Sequence, residues 1–276
     1  GYGIEIEPLW NIETLGAYVT KGLSEKPHHG NKTPRVWEER HGMINSIGLQ
    51  NVGVDDFFSH YFPFFVERKV PVIVNFFGFS EDEYISCARK VPSHHLVVAL
   101  EMNLSCPNIK KGGISFGKDA PAVHNIVRAV REVTPVPIIA KLTPEVKNIV
   151  EIARAAYEGG ADGLTLINTM PAAVIDTRSR NMPLKGGLSG PILKPIALRA
   201  VYDCYKEVPI PIIGAGGIMD AEDALEFLMA GARAVEVGTA TFADPFAMPK
   251  IISGLGEWLD ENNCAGIAAI TGIAHG

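Results

Sequence analysis

Pro137-Ile138-Ile139-Ala140-Lys141-Leu142 and Gly163-Leu164-Thr165-Leu166-Ile167-Asn168 are two short apolar runs separated by Val146–Gly159, whose apolar residues recur at helical spacing. Neither run alternates apolar with polar, which is expected of a parallel strand buried on both faces. Thr143-Pro144 places a proline near the start of the intervening helix, and Gly159-Gly160 sits where it should stop. Strand, helix and strand of these lengths make one βαβ unit.

The same alternation extends in both directions. Further strands are expected at Ala17–Thr20, Val70–Phe76, Val97–Leu104, Pro211–Gly214 and Ala234–Gly238. Helices are expected at Val54–Arg68, Ser80–Lys90, Ala120–Val133, Leu193–Lys206, Ala221–Ala230 and Pro249–Glu261, with Ser80 and Glu83 forming a capping box and Gly231 a stop. Seven units admit an open doubly wound sheet or a barrel. The barrel is favoured because strand ends repeatedly carry polar or glycine residues: Lys21, Asn75, Asn103, Lys141, Asn168, Gly216 and Gly238. In a (β/α)8 TIM barrel all of these converge on one mouth. On that reading the first of eight strands lies ahead of Gly1, and residues 1–276 form a single domain. Gly22–Gln50 is too long for a plain βα loop and is expected to carry a small hairpin or binding loop.

Bulk properties narrow the function. The chain has 276 residues and a net charge of -6, which gives no reason to expect nucleic acid or an anionic membrane surface. No apolar run approaches the ~20 residues of a membrane span. Cys87, Cys106, Cys204 and Cys264 show neither Cys-x-x-Cys spacing nor a zinc-type Cys/His cluster. No metal site is expected, an iron–sulfur cluster held by this chain alone is disfavoured, and the scattered thiols read as reduced and cytoplasmic.

Three features could carry chemistry. Asn103-Leu104-Ser105-Cys106-Pro107-Asn108 follows a strand and presents two amides and a thiol. Asparagine donates and accepts, so a pair can clamp a planar amide ring, and a thiol can serve as base or nucleophile. Set against this is a plain turn with a buried cysteine. Lys21 and Lys141 end buried strands, where a lysine is costly unless it is paired or meets an anion. Gly186-Gly187-Leu188-Ser189-Gly190 precedes a helix, Gly214-Ala215-Gly216-Gly217 follows a strand, and Gly238-Thr239 follows the last one. Glycine loops after late barrel strands suit a phosphate dianion. Asn45-Ser46-Ile47-Gly48-Leu49-Gln50-Asn51 reads equally as a turn-rich loop or as a segment closing over a ligand.

Taken together, Asn103–Asn108, Asn45–Leu49, Ala140-Lys141-Leu142-Thr143-Pro144 and Gly187-Leu188-Ser189-Gly190-Pro191 resemble the class 1 dihydroorotate dehydrogenases over essentially the whole chain. Leu166-Ile167-Asn168-Thr169 and Lys194-Pro195-Ile196-Ala197-Leu198-Arg199 are most similar to the catalytic subunit of the NAD-linked class 1B. The resemblance implies an FMN-binding barrel that oxidises dihydroorotate to orotate in pyrimidine biosynthesis. Cys106 would be the base. Lys21, Asn45, Ser46, Ile47, Gly48, Leu49, Asn103, Asn108, Asn168 and Thr169 would bind substrate. Lys21, Gly22, Asn75, Asn103, Lys141 and Ile167 would contact the flavin, and Gly190, Gly216, Gly217, Gly238 and Thr239 its ribityl phosphate. The chain shows no Gly-x-Gly-x-x-Gly that follows a strand and opens a helix. The 1B resemblance therefore implies a partner subunit carrying FAD and an iron–sulfur cluster, with a homodimer of this chain inside a heterotetramer. Two other readings stay open: a dihydropyrimidine dehydrogenase-like flavoenzyme sharing the Asn-Leu-Ser-Cys-Pro loop, and a non-redox phosphate-binding lyase or isomerase in which Lys141 is a Schiff-base or phosphate lysine. The segment Thr169-Met170-Pro171-Ala172-Ala173 carries a proline where the family pattern calls for a glycine-bearing stretch.

Overall fold

The structure is a computed structural model that describes residues 1–105, 107–108 and 114–276, with only the backbone described at 107, 108, 114 and 115. Cys106 and the side chain of Asn108 therefore lie outside the described residues. The chain divides into two compact units, Gly1–His29 with Leu49–Thr165, and Gly30–Gly48 with Leu166–Gly276.

The first unit holds β1 (Tyr18–Val19), α1 (Val54–Asp56), α2 (Phe62–Arg68), β4 (Val72–Phe76), α3 (Glu81–Lys90), β5 (Val97–Asn103), β6 (Pro107–Asn108), β7 (Ile114–Ser115), α4 (Ala120–Arg131), β8 (Ile138–Leu142) and α5 (Ile149–Glu158), and most of β9 (Gly163–Leu166). Helix starts follow the cap chemistry: Ser80, Asp119 and Asn148 each accept a backbone N–H of the first turn through their side chains. At α3 the Glu83 carboxylate turns back to the amide of Phe79, 2.7 Å away, rather than to that of Ser80. Helix α5 begins later than Thr143-Pro144 suggested. Asn148 supplies the cap at 3.1 Å to Val150 N, and Pro144 stands in the connection before it. The expected helix over Val54–Arg68 is a composite in which a π turn, Phe57–Tyr61, joins α1 to α2. The core of this unit is aromatic and aliphatic, with Phe57, Phe65, Phe76, Tyr84, Leu100 and Met102 fully buried. Burial of each such side chain contributes about 1.5–3 kcal/mol.

The second unit holds β2 (Val36–Glu39), β3 (Gly42–Asn45), β10 (Met170–Asp176), β11 (Asn181–Ser189), α6 (Lys194–Tyr205), β12 (Ile212–Ala215), α7 (Ala221–Met229), β13 (Ala234–Glu236), α8 (Ala240–Ala243) and α9 (Ala247–Glu261). The hairpin expected within Gly22–Gln50 is β2–β3. It joins a second hairpin in an antiparallel sheet of order β10-β11-β3-β2. That second hairpin corrects the expectation of a glycine loop at 186–190 and gives the conformation of Met170–Ala173. Gly186–Ser189 is strand β11 rather than a loop opening a helix, and Met170–Ala173 is strand β10. Pro171 is tolerated because β10 is an edge strand.

The remaining strands are parallel and follow the order β1-β4-β5-β8-β9-β12-β13, each separated from the next by helical chain as in the wall of a (β/α) barrel. All seven stand where the apolar runs placed them, so the α/β fold class read from the sequence holds. Asn168 and Gly238 lie just past their strands.

Candidate active site

Register places the polar residues of the first unit. Asn75 of β4 stands opposite Glu101 of β5, and Asn103, two residues further along β5, stands opposite Lys141 of β8. Side chains alternate along a strand, so all four project from the same face of the sheet. Glu101 is wholly buried. Its carboxylate accepts hydrogen bonds from Thr165 Oγ1 at 2.6 Å, from Lys141 Nζ at 3.2 Å and from Asn75 Nδ2. The Lys141 side chain is 17% exposed and forms an ion pair with Glu101. The cost of a lysine at a buried strand end is thus met by a carboxylate of the protein itself. Glu101 was absent from the residues picked out in the sequence, although a lone charge inside the apolar run Val97–Leu104 is a signal that such a residue is paired.

The approach of β1 to β4 explains Lys21 and Gly22. Val19 pairs with Ile73 and Leu23 bridges to Phe76, so the β1 side spends one residue more than β4 over the same stretch. That bulge re-aims the chain at Lys21-Gly22. A Cβ at Gly22 would lie 2.8 Å from Asn75 Oδ1, which is why glycine stands there. Asn103 is fixed at both ends: Tyr84 donates its hydroxyl to the Asn103 carbonyl at 2.5 Å, and the side-chain carbonyl accepts Ser105 N at 3.1 Å. Asn51 is a structural residue. Its amide accepts from Ser24 N and Gly53 N and donates to Ser24 Oγ and Leu49 O.

In the second unit Asn45 of β3 pairs with Gly187 of β11 and donates to its carbonyl at 3.4 Å. Gly187 has no side chain where Thr169 Oγ1 crowds it, so the family-like Gly187 is a packing glycine. Asn168 Oδ1 accepts Thr169 N at 2.7 Å, turning the chain directly after β9. Ser46 is gripped by Asn31, whose Nδ2 donates to Ser46 O and Oγ, while Ile47 O accepts Asn31 N.

Among the glycines of the second unit, a Cβ at Gly217 (φ +82°) would lie 2.6 Å from Lys194 N and 2.9 Å from Gly190 O, and one at Gly190 (φ +97°) would lie 3.5 Å from Thr239 Cγ2. Gly190, Gly217 and Thr239 therefore gather at the start of α6, where the Lys194 N–H is bonded to Pro191 O. Gly216 packs toward Ala197 and Ile167, and a Cβ at Gly238 would meet only open space.

Of the described cysteines, Cys87 and Cys204 are poor bases. Burial pushes both thiols up to about 12. No helix among the described residues is long and apolar enough to cross a membrane.

Comparison with known proteins identifies the family. The family model Dihydroorotate dehydrogenase matches residues 1–259. The catalytic subunit of dihydroorotate dehydrogenase B (NAD(+)) from Desulforamulus reducens is 49% identical over 278 residues, spanning 100% of this chain and 91% of that protein. The protein of the same name from Trichlorobacter lovleyi is 48% identical, spanning 100% and 92%, and that from Geobacter sulfurreducens is 49% identical, spanning 99% and 90%. With a family model over most of its length and relatives this close, the chain belongs to the dihydroorotate dehydrogenase family.

Proposed function

We propose that this chain is the catalytic subunit of an NAD-linked dihydroorotate dehydrogenase, oxidising dihydroorotate to orotate in pyrimidine biosynthesis. The observation that carries the reading is the polar face of Asn75, Glu101, Asn103 and Lys141 on three adjacent strands, in a member of this family. The residues fit FMN. In the first unit the face offers amides and a cation suited to a flavin ring, and in the second unit the glycines Gly190 and Gly217 with Thr239, at the start of α6, suit a phosphate. Gly216, Gly238 and Ile167 complete the flavin set with Lys21 and Gly22, of which Gly22 stands against Asn75. FMN supplies the two-electron acceptor for the hydride that leaves C6 of the substrate.

Cys106 takes the proton from C5. A thiol of ordinary pKa, about 8.5, is only a few per cent ionised at neutral pH, so turnover rises toward alkaline pH. Asn45, Asn103, Asn108, Asn168 and Thr169 match the amide groups of the pyrimidine ring, and Lys21 faces anionic charge. Ser46 to Leu49 form the segment over the substrate. Lys141 is held as a cation by Glu101, the opposite of the desolvated neutral amine that a Schiff-base lysine requires, which weighs against the lyase reading. Electrons leave through a partner subunit with FAD and an iron–sulfur cluster that reduces NAD. The assembly is a cytoplasmic heterotetramer built on a homodimer of this chain.

Anaerobic titration of the FMN-loaded protein with dihydroorotate tests the assignment. The flavin absorbance bleaches with dihydroorotate and persists with dihydrouracil. Flavin that binds but does not bleach with dihydroorotate removes the substrate assignment, and bleaching by dihydrouracil alone moves it to the dihydropyrimidine class.

A further inference from the structure

We propose that Glu101 is a positioning residue for the flavin chemistry: its buried carboxylate pins the Lys141 ammonium and offsets its charge, and so sets how strongly the site favours reduced over oxidised FMN. This rests on the flavin reading above. Three observations converge on it.

Glu101 is the charged residue of β5, follows four apolar residues of that strand and is 0% exposed. A buried carboxylate is costly, and a well-packed apolar side chain generally serves stability as well or better. Its presence is therefore hard to explain by stability alone. Second, among the described residues it accepts from donors on three other strands, Asn75 on β4, Lys141 on β8 and Thr165 on β9. Two of those three donors are the residues assigned to the flavin. Third, lysine is a compact charge on a flexible four-carbon stem, so its position is defined only by what it is held against. The carboxylate at 3.2 Å provides that definition.

The electrostatic consequence has a sign. A fixed cation beside a flavin favours the electron-rich reduced form. A carboxylate on that cation weakens the preference. Replacing the carboxylate by a neutral amide of the same shape strengthens it.

The test uses the FMN-loaded protein. The two-electron midpoint potential is measured by equilibration with a reference dye, and sulfite affinity for the bound flavin is measured alongside. Glu101→Gln is expected to shift the ratio of reduced- to oxidised-FMN affinity about tenfold or more toward reduced, a rise of about 30 mV for a two-electron couple. Sulfite binds more tightly in parallel. Lys141→Met shifts both readouts the other way, and Glu101→Asp, which keeps the charge, stays close to the parent. A purely structural Glu101 would change stability and leave the potential where it is. Thr165→Val covers the case in which Glu101→Gln does not fold. It keeps the carboxylate but strips a donor from it, so the potential falls. The proposal is overturned if Lys141→Met moves the potential while Glu101→Gln, or Thr165→Val in its place, does not. A parent protein that binds FMN but does not bleach with dihydroorotate overturns the substrate assignment alone, whereas one that binds no FMN overturns the flavin reading and this inference together.

Discussion

Lys141 and Lys194 are both lysines held by carboxylates, and they differ in how much water they meet. Lys141 stands on a strand against a carboxylate with no exposure at all. Lys194 opens helix α6 and bridges two carboxylates of α7, Asp223 at 2.7 Å and Glu226 at 3.0 Å, with its own side chain 29% exposed. The α7 pair are like charges three residues apart, which repel, and a lysine at a helix N-terminus opposes the helix dipole. Each half of that cluster relieves a penalty of the other. It ties α6 to α7, and solvent keeps its contribution small. At the buried Glu101 the carboxylate has no exposure and Lys141 little, so little is gained by having the pair and much is lost by breaking it. A pair of that kind is better explained by what its lysine does than by stability.

The comparison breaks most visibly at Glu101. Glu101→Ala leaves the Lys141 ammonium facing a cavity and is expected to cost about 3–5 kcal/mol, read from urea unfolding of the apoprotein. Asp223→Ala, the equivalent cut at the wetter cluster, is expected to cost about 1 kcal/mol. Equal losses at the two places would erase the distinction drawn from burial. Lys141→Met sharpens it on the chemical side. Removing a preorganised cation at the flavin is expected to slow reduction by dihydroorotate about 10²–10³-fold in anaerobic stopped-flow. An unchanged rate would mean that the buried pair is architecture and nothing more.

The two lysines were not equally legible in the sequence. Lys141 stood out because it ends a run of β-branched residues, where burial makes a charge conspicuous. Its carboxylate did not, because Glu101 lies inside Val97–Leu104 rather than at a polar strand end. The parallel strands were readable since strands buried on both faces are continuous apolar runs. The antiparallel hairpin β10–β11 was not. Its strands are half-exposed and each carries a proline, Pro171 and Pro183, and the glycines at 186 and 187 imitate a loop while serving to admit Asn45 and Thr169. Gly190 and Gly217 are conspicuous in the sequence, but that Gly217 lies beside the start of α6 is visible only in the structure. The start of α5 was misplaced because a proline early in a helix and a proline just before one look alike, and only the Asn148 side chain decides between them.

The smallest effect belongs to Lys194→Met, and its pH dependence identifies its origin. Hydrogen bonds to Asp223 first and to Glu226 second raise the Lys194 pKa above its ordinary 10.5. A lysine whose pKa is raised by folding stabilises fully below its unfolded value, and that stabilisation disappears as pH climbs through the folded value. The difference in unfolding free energy between parent and variant should therefore be about 1 kcal/mol and flat from neutral pH up to about 10, then shrink above 10.5. Other lysines and tyrosines titrate in both proteins and cancel in the difference. A gap that persists undiminished at high pH would assign it to packing of the lysine stem rather than to its charge. Added salt should narrow the gap near neutral pH, because a part-exposed cluster is screened, whereas the loss at Glu101→Ala should hardly respond.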